Sequence, residues 1–361
     1  MIRTRWWTGP DWVGELESPW RELSEASPSA TPFQTWEWQT AWMRHLGRTK
    51  SPFVWTAHEG DDLVGLMPLV QSGGVWRVLR SMGSGASDYL HPLARAGCER
   101  AVAERLREDL RERRDVDLID LHQIRETEPV AEGWSVGGAG SQRTLEQAVC
   151  LVLDLPRSYD EFVSSLGKSL RYDVRRLDKI CEGGLKVEDV PADELPEAMH
   201  AFFSCHRSRW RSRGLPGAFL GAKARAFHFD WALLASKRGW LRLARLKREG
   251  RIVGVIYAMA LGDTVYFYQS GFEPAEKAIS PGTLLVAHTV RNAIEEGAKR
   301  FDFLRGDEPY KRRWKPQHAL RNVRILAPAG GILGRLAHGW NSVGFRIESR
   351  LRARLEGRGL L

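Results

Sequence analysis

The residues best suited to chemistry lie close together in the run Phe301-Asp302-Phe303-Leu304-Arg305-Gly306-Asp307-Glu308-Pro309-Tyr310-Lys311-Arg312-Arg313-Trp314. Read as a strand, its start points Phe301 and Phe303 to one face and Asp302 to the other, so a carboxylate projects from a buried sheet, where such a group has a task or a partner. The loop that follows holds two more carboxylates, a phenol and an ammonium group. Transfer of an acyl group from a thioester needs a base for the nucleophile, donors for the oxyanion and an acid for the departing thiolate. Asp307 or Glu308 is the candidate base, Tyr310 the candidate acid and Lys311 a candidate electrostatic stabiliser. Asp302 is open to either a structural or a catalytic part, and Lys311, Arg312, Arg313 and Lys315 read equally as a solvated basic patch.

These residues must be positioned by the elements before them. Ser280-Pro281-Gly282-Thr283 opens a helix: Ser280 suits the N-cap and Pro281 the first helical position, where its missing N–H costs nothing. Leu285, Val286, Val290, Ala293 and Ile294 follow at helical spacing, and Gly297 stops the helix. Main-chain N–H groups and the dipole at such an end suit a pyrophosphate, and Gly282 allows close approach.

The same plan occurs twice. Strand-turn-strand units are expected at Phe53–Met67, around Glu59–Asp62, and at Leu241–Tyr257, around Arg248–Arg251; a helix running into a strand is expected at Glu99–Leu121 and again at Thr283–Leu304. The displacement is roughly 185–190 residues in both cases, as a duplicated domain would leave it. The segment from Gly133 to Gly140 reads as a loop between the halves. The domains expected are therefore 1–145, 146–330 and a basic tail, 331–361.

The run from Phe301 to Trp314, preceded by Ser280-Pro281-Gly282, resembles the C-terminal signature of CelD/BcsL-type acetyltransferases of the GNAT superfamily. Phe33-Gln34-Thr35-Trp36-Glu37-Trp38, Gly85-Ala86-Ser87-Asp88-Tyr89 and the basic helix Lys168 to Lys179 agree with it, so the likeness spans roughly residues 30–327. It implies an α/β (α+β) protein of two tandem GNAT-like domains, each a mixed, mostly antiparallel sheet flanked by helices, related to the Fem aminoacyl transferases. It also implies an acetyl-CoA or other acyl-CoA donor whose pyrophosphate lies at Ser280, Pro281, Gly282 and Thr283, and an amine or sugar acceptor from exopolysaccharide or cell-envelope synthesis. Tyr310 matches the tyrosine that protonates the thiolate in that family, and Trp314 is placed with the substrate. The usual Gln/Arg-x-x-Gly-x-Gly/Ala loop is replaced by Glu276-Lys277-Ala278-Ile279-Ser280-Pro281-Gly282. In the first half Leu121 is followed by His122-Gln123-Ile124-Arg125-Glu126 with no Tyr-Lys pair, so a single active site is expected.

Ser87, Asp88 and Tyr89 follow a strand and a glycine turn and could close over the acceptor. Lys168, Arg171, Arg175 and Lys179 line one face of a helix whose other face is Leu170, Val174, Leu177 and Cys181, a stripe able to grip phosphates or an anionic glycan. The alternatives to acyl-CoA chemistry are a Fem-like transfer from aminoacyl-tRNA and an inactive scaffold that binds anionic glycan or membrane. No DNA partner is expected.

Composition narrows the field. A formal charge of +9 favours anionic partners, and 43% hydrophobic residues with 15 Trp and 13 Phe mark a folded chain. Four scattered cysteines without CxxC spacing, and ten histidines without H-E-x-x-H, argue against a zinc site or a disulfide scaffold and for a reducing, cytoplasmic setting. No nucleophile elbow supports a serine triad. In the tail, Ile332, Leu336, Trp340, Val343, Ile347, Leu351 and Leu355 recur beside arginines, as in an amphipathic helix able to lie on an anionic membrane.

Overall fold

The computed structural model describes residues 2–132, 143–180 and 184–329, with positions 334, 336–340 and 344. The expected loop at 133–140, Cys181 and most of the proposed tail helix lie outside the described residues.

Elements are numbered in chain order. The first half runs β1 (Arg3–Trp7), α1 (Trp12–Glu15), α2 (Glu17–Ala26), α3 (Trp36–His45), β2 (Ser51–Glu59), β3 (Asp62–Ser72), β4 (Val78–Ser81), β5 (Leu93–Ala94), α4 (Glu99–Glu112), β6 (Leu118–Arg125) and α5 (Pro129–Glu132). The second runs β7 (Arg143–Asp154), α6 (Tyr159–Ser165), α7 (Lys168–Ile180), β8 (Leu185–Asp189), α8 (Leu195–Arg211), α9 (Ala222–Lys237), β9 (Leu241–Arg248), β10 (Arg251–Leu261), β11 (Thr264–Phe272), α10 (Pro281–Glu295), β12 (Arg300–Arg305), α11 (Pro309–Arg312) and β13 (His318–Pro328).

The chain divides into two units, one built on residues up to Ala148 plus those from Arg321 onward, the other on Val149–Leu320. In the first unit the strand order is β1-β2-β3-β4-β6-β13, and β4 and β6 are parallel while the other neighbours are antiparallel. The order in the second is β7-β12-β11-β10-β9-β8, with β11 and β12 the parallel pair. Both units thus have a mostly antiparallel sheet with one parallel step, and a long helix, α4 or α10, supplies the crossover into it. Glu99 and Leu118, which open α4 and β6, are separated by the same interval as Pro281 and Arg300, which open α10 and β12.

The expected second domain, 146–330, is cut differently here. Asn322 to Pro328 pair with Arg125 to Leu118, so β13 serves the first unit, while Cys150 to Asp154 of β7 pair with β12 in the second. Local sequence cannot announce such an exchange, because main-chain pairing is indifferent to where in the chain a strand originates.

Local chemistry accounts for the rest. The β9–β10 turn has Glu249 at φ 50° and Gly250 at φ 79°, the two positive angles of a type I′ hairpin. Thr35 caps α3 by accepting from Trp38 N–H, and Ser158 caps α6 by accepting from Glu161 N–H. The core of the second unit joins Val253 and Ile256 of β10, Leu285 and Val290 of α10, and Phe301 and Phe303 of β12. Each such side chain, fully buried, contributes about 1.5–3 kcal/mol relative to an exposed position.

Candidate active site

β11 and β12 run together for only three pairs, Thr264↔Arg300, Val265↔Phe301 and Tyr266↔Asp302, although β11 continues to Phe272 and β12 to Arg305. The Asp302 carboxylate causes the parting. Buried to 2% exposure, it accepts the N–H of Leu304 at 2.7 Å, and Leu304 sits at φ 56°, a left-handed angle that costs on the order of 1–2 kcal/mol for a residue with a Cβ. The register with β7 shifts at the same place, between Asp302 and Arg305. Asp302 therefore has a local structural role as the anchor of a bulge. Beyond it, main-chain groups of β11 that point away from β10 have no strand partner in β12.

The loop after β12 is held by Lys311. Only 3% exposed, its ammonium donates to the carbonyls of Arg305 at 2.7 Å, Gly306 at 3.2 Å and Leu304 at 3.4 Å, and meets Glu308 Oε2 at 2.9 Å. That is a full complement for three N–H bonds, so the side chain ties the loop to the strand end. Asp307 is engaged too. Arg312 donates to it through Nε at 2.5 Å and Nη2 at 2.6 Å, and this bidentate pair holds the Asp307 carboxyl below its ordinary range, which makes it a poor proton acceptor. Trp314, placed with the substrate from sequence, belongs instead to the core: it is 3% exposed and stacks on Phe162 at 6.2 Å and 5°. Tyr310 keeps an open surface, at 39%, and its hydroxyl is tied up in no side-chain bond among the described residues. Loss of hydration around its hydroxyl, then the charge of Glu308, raises its pKa, against the pull of Arg209 and Arg213, so the phenol is protonated at neutral pH.

α10 begins where β11 ends, after a short 3-10 turn, Pro274–Ile279. Ser280 does occupy the N-cap position but not as the sequence implies. It has φ 52° and its side chain makes no cap; instead its carbonyl accepts from the N–H groups of Thr283 and Leu284. Pro281 has no N–H, so Gly282 offers the main-chain donor of this first turn. A Cβ on Gly282 would meet Phe272 Cε1 at 3.6 Å, ordinary contact, so the fold itself does not demand glycine here.

Other expected residues fall elsewhere. Ser87 is buried in the first unit, accepting from Trp38 Nε1 at 2.8 Å and donating to Gly83 O at 2.9 Å; the Asp88 carbonyl accepts from Asn322, and Tyr89 packs against Phe33 and under Arg125. Arg171 donates to the carbonyls of Ser164 and Leu166 and so finishes α6, whereas Arg175 is exposed on α7. In the first unit Asp120 holds the register position of Asp302, opposite Arg80 as Asp302 is opposite Tyr266. Burial opposes its ionisation, but His122 at 3.0 Å and Arg324 at 2.7 Å outweigh that and keep it ionised. No phenol follows it.

The run His206-Arg207-Ser208-Arg209-Trp210-Arg211, which in sequence reads either as a grip for phosphate or anionic glycan or as a solvated face, lies on α8. His206 is buried on that helix and Arg209 half-buried, while the exposed Arg213 follows in the turn just past its end. Gly271 of β11 lets α8 lie directly on the sheet: a Cβ there would come within 2.9 Å of the Cys205 main chain.

Comparison with known proteins agrees with this geometry. Residues 164–312 match the model of the acetyltransferase (GNAT) domain. The crystal structure of FemX superposes with a TM-score of 0.65 at 10% identity, covering 86% of this chain and 95% of that one. The C-terminal domain (DUF2156) of a putative lysylphosphatidylglycerol synthetase from Agrobacterium fabrum gives 0.54 at 13%, covering 90% and 95%, and the L-PGS of Bacillus licheniformis 0.51 at 15%, covering 81% and 92%. No curated protein matches the chain by sequence. The fold is thus a tandem of GNAT-like domains, and the match to the acetyltransferase (GNAT) domain falls within the second unit. The finer CelD/BcsL assignment is not among these matches. Among the described residues there is no group of three or more His, Cys, Asp or Glu able to hold a metal ion, and no helix long and apolar enough to cross a membrane.

Proposed function

We propose that the second unit transfers an acetyl or related acyl group from acyl-CoA directly to an amine or hydroxyl acceptor. One observation carries this reading: β11 and β12 part beyond Tyr266 and Asp302, and the helix that follows β11 begins at the open end of the gap. An extended thioester arm fits between parted strands, where unpaired main-chain groups can hold it, while its pyrophosphate takes the Gly282 N–H and the positive end of the α10 dipole. Ser280, Pro281 and Thr283 shape that end.

Tyr310 is the acid for the departing thiolate. It is the one residue of its loop that is protonated, partly open and not consumed by a structural bond. Asp302 sets the bulge, and Lys311 with Asp307 fixes the loop that carries Tyr310; their contribution to rate is through position. The resemblance to CelD/BcsL enzymes supports an acceptor from exopolysaccharide or cell-envelope synthesis. Free thiols at Cys98, Cys150 and Cys205 accord with a cytoplasmic setting.

The test is thiol release from acetyl-CoA over a panel of amines, amino sugars and hydroxyl acceptors. Acceptor-dependent release that disappears in Tyr310→Phe supports the reading; no release with any acceptor, together with no CoA binding, overturns it.

A further inference from the structure

Polar atoms without partners gather where α8 lies on the sheet of the second unit. His206 is 1% exposed and Tyr257 fully buried, yet His206 Nε2 and the Tyr257 hydroxyl have no hydrogen-bond partner, nor do Trp210 Nε1 and Arg209 Nε. Each buried group left so costs about 1–3 kcal/mol, which a folded protein sustains when a ligand or water satisfies it in use.

The arginines here are unusual in the same way. Arg209 stacks on Phe272 at 4.8 Å and donates through Nη1 to the Ser270 carbonyl at 3.2 Å; Arg213 lies over Trp210 at 5.8 Å. Neither makes an ion pair among the described residues. Elsewhere in this unit Arg245 pairs with Glu188 and Glu194, Arg248 with Glu276 and Arg242 with Glu296. Glu308 is the carboxylate whose charge reaches Arg209, and it is already engaged by Lys311. Arg209 is half-buried and Arg213 exposed, and a partly desolvated guanidinium fork without a carboxylate fits a planar or tetrahedral oxyanion. Burial and the neighbouring Arg209 hold His206 at a pKa of about 4, so it is neutral and can donate a hydrogen bond without adding charge.

We propose that Arg209 and Arg213, with His206 and Trp210 beside them, bind an oxyanion carried by the acceptor, a carboxylate or a phosphate, and so bring its nucleophile to Tyr310. The acceptor is then an anionic amine or alcohol, such as a phosphorylated or carboxylated sugar or amino compound. The term acceptor rests on the acyl-transfer reading; the anion site does not.

The experiment is calorimetric titration of the full chain with inorganic phosphate and with O-phosphoethanolamine, without CoA, alongside a separate titration with acetyl-CoA. Saturable anion binding is expected, weakened at least tenfold in Arg209→Gln and partly restored in Arg209→Lys, which keeps the charge but not the fork. Acetyl-CoA affinity should change less than threefold in both variants. Equal anion binding by wild type and Arg209→Gln, or no saturable binding by wild type, overturns the site. So does binding that survives Arg209→Gln but vanishes in Gly282→Asp, which would put the anion at α10, and so does a loss in Arg209→Gln that falls on acetyl-CoA alone. Anion binding without acetyl-CoA binding would keep the site and overturn the donor instead.

Discussion

The Asp302 carboxylate accepts the N–H of Leu304 at 2.7 Å, and β12 leaves its neighbour β11 immediately past Asp302. A single side chain thus fixes both the left-handed residue and the gap that the donor is proposed to fill. Asp302→Ala should leave a buried N–H unsatisfied and lower stability by about 1–3 kcal/mol. Asp302→Asn, which keeps an acceptor oxygen, should retain most stability and at least a tenth of the turnover. Denaturant melts with parallel rate measurements decide it: a rate loss above 100-fold in a stable Asp302→Asn would return Asp302 to the chemistry.

Tyr310→Phe removes a hydroxyl and little else. Turnover should fall by about 10²–10⁴-fold, the range for a lost general acid, with donor affinity changed less than threefold. An unchanged kcat would remove Tyr310 from the mechanism.

Asp307 and Arg312 are exposed, so their pair contributes roughly 0–1 kcal/mol despite its geometry. Asp307→Asn should alter stability within that range and turnover less than tenfold. A thousandfold loss, measured at saturating donor, would restore Asp307 as the base.

His206 and His228 are held neutral by burial, with pKa values of about 4 and about 3 against 6.5 when unfolded. The unfolded chain therefore binds more protons below pH 6.5, and stability is present above that pH and is lost as pH falls towards 4 and then 3. The slope is about 1.4 kcal/mol per pH unit for each histidine across its window. His206→Phe should flatten the upper part of this fall in urea melts at pH 7 to 4; an unchanged slope would show that His206 is not buried as described.

Much of the fold was legible because it is local. The two hairpins, the crossover helices and the strands after them each carry their own pattern, and their repetition exposed the duplication. The place of β13 in the first unit was not legible, since residues such as Asn322 find their partners far away in sequence. At the site, the loop from Asp302 to Trp314 stood out by residue type, but type does not reveal occupation: Lys311 is spent on carbonyls, Asp307 on Arg312 and Trp314 on the core. For Arg209 the sequence left a phosphate grip and a solvated face both open, and only the seating of α8 on β11 separates them.

The most direct test of the donor assignment compares acetyl-CoA binding by wild type and Gly282→Asp in calorimetry. The fold has room for this side chain, and an acid in the first turn of a helix is favourable, so the variant should melt at or above the wild-type temperature. One saturable site in wild type, weakened at least tenfold in Gly282→Asp, is the predicted result. No saturable binding by wild type, or equal affinity in both proteins, would contradict the assignment of the α10 terminus to an acyl-CoA donor.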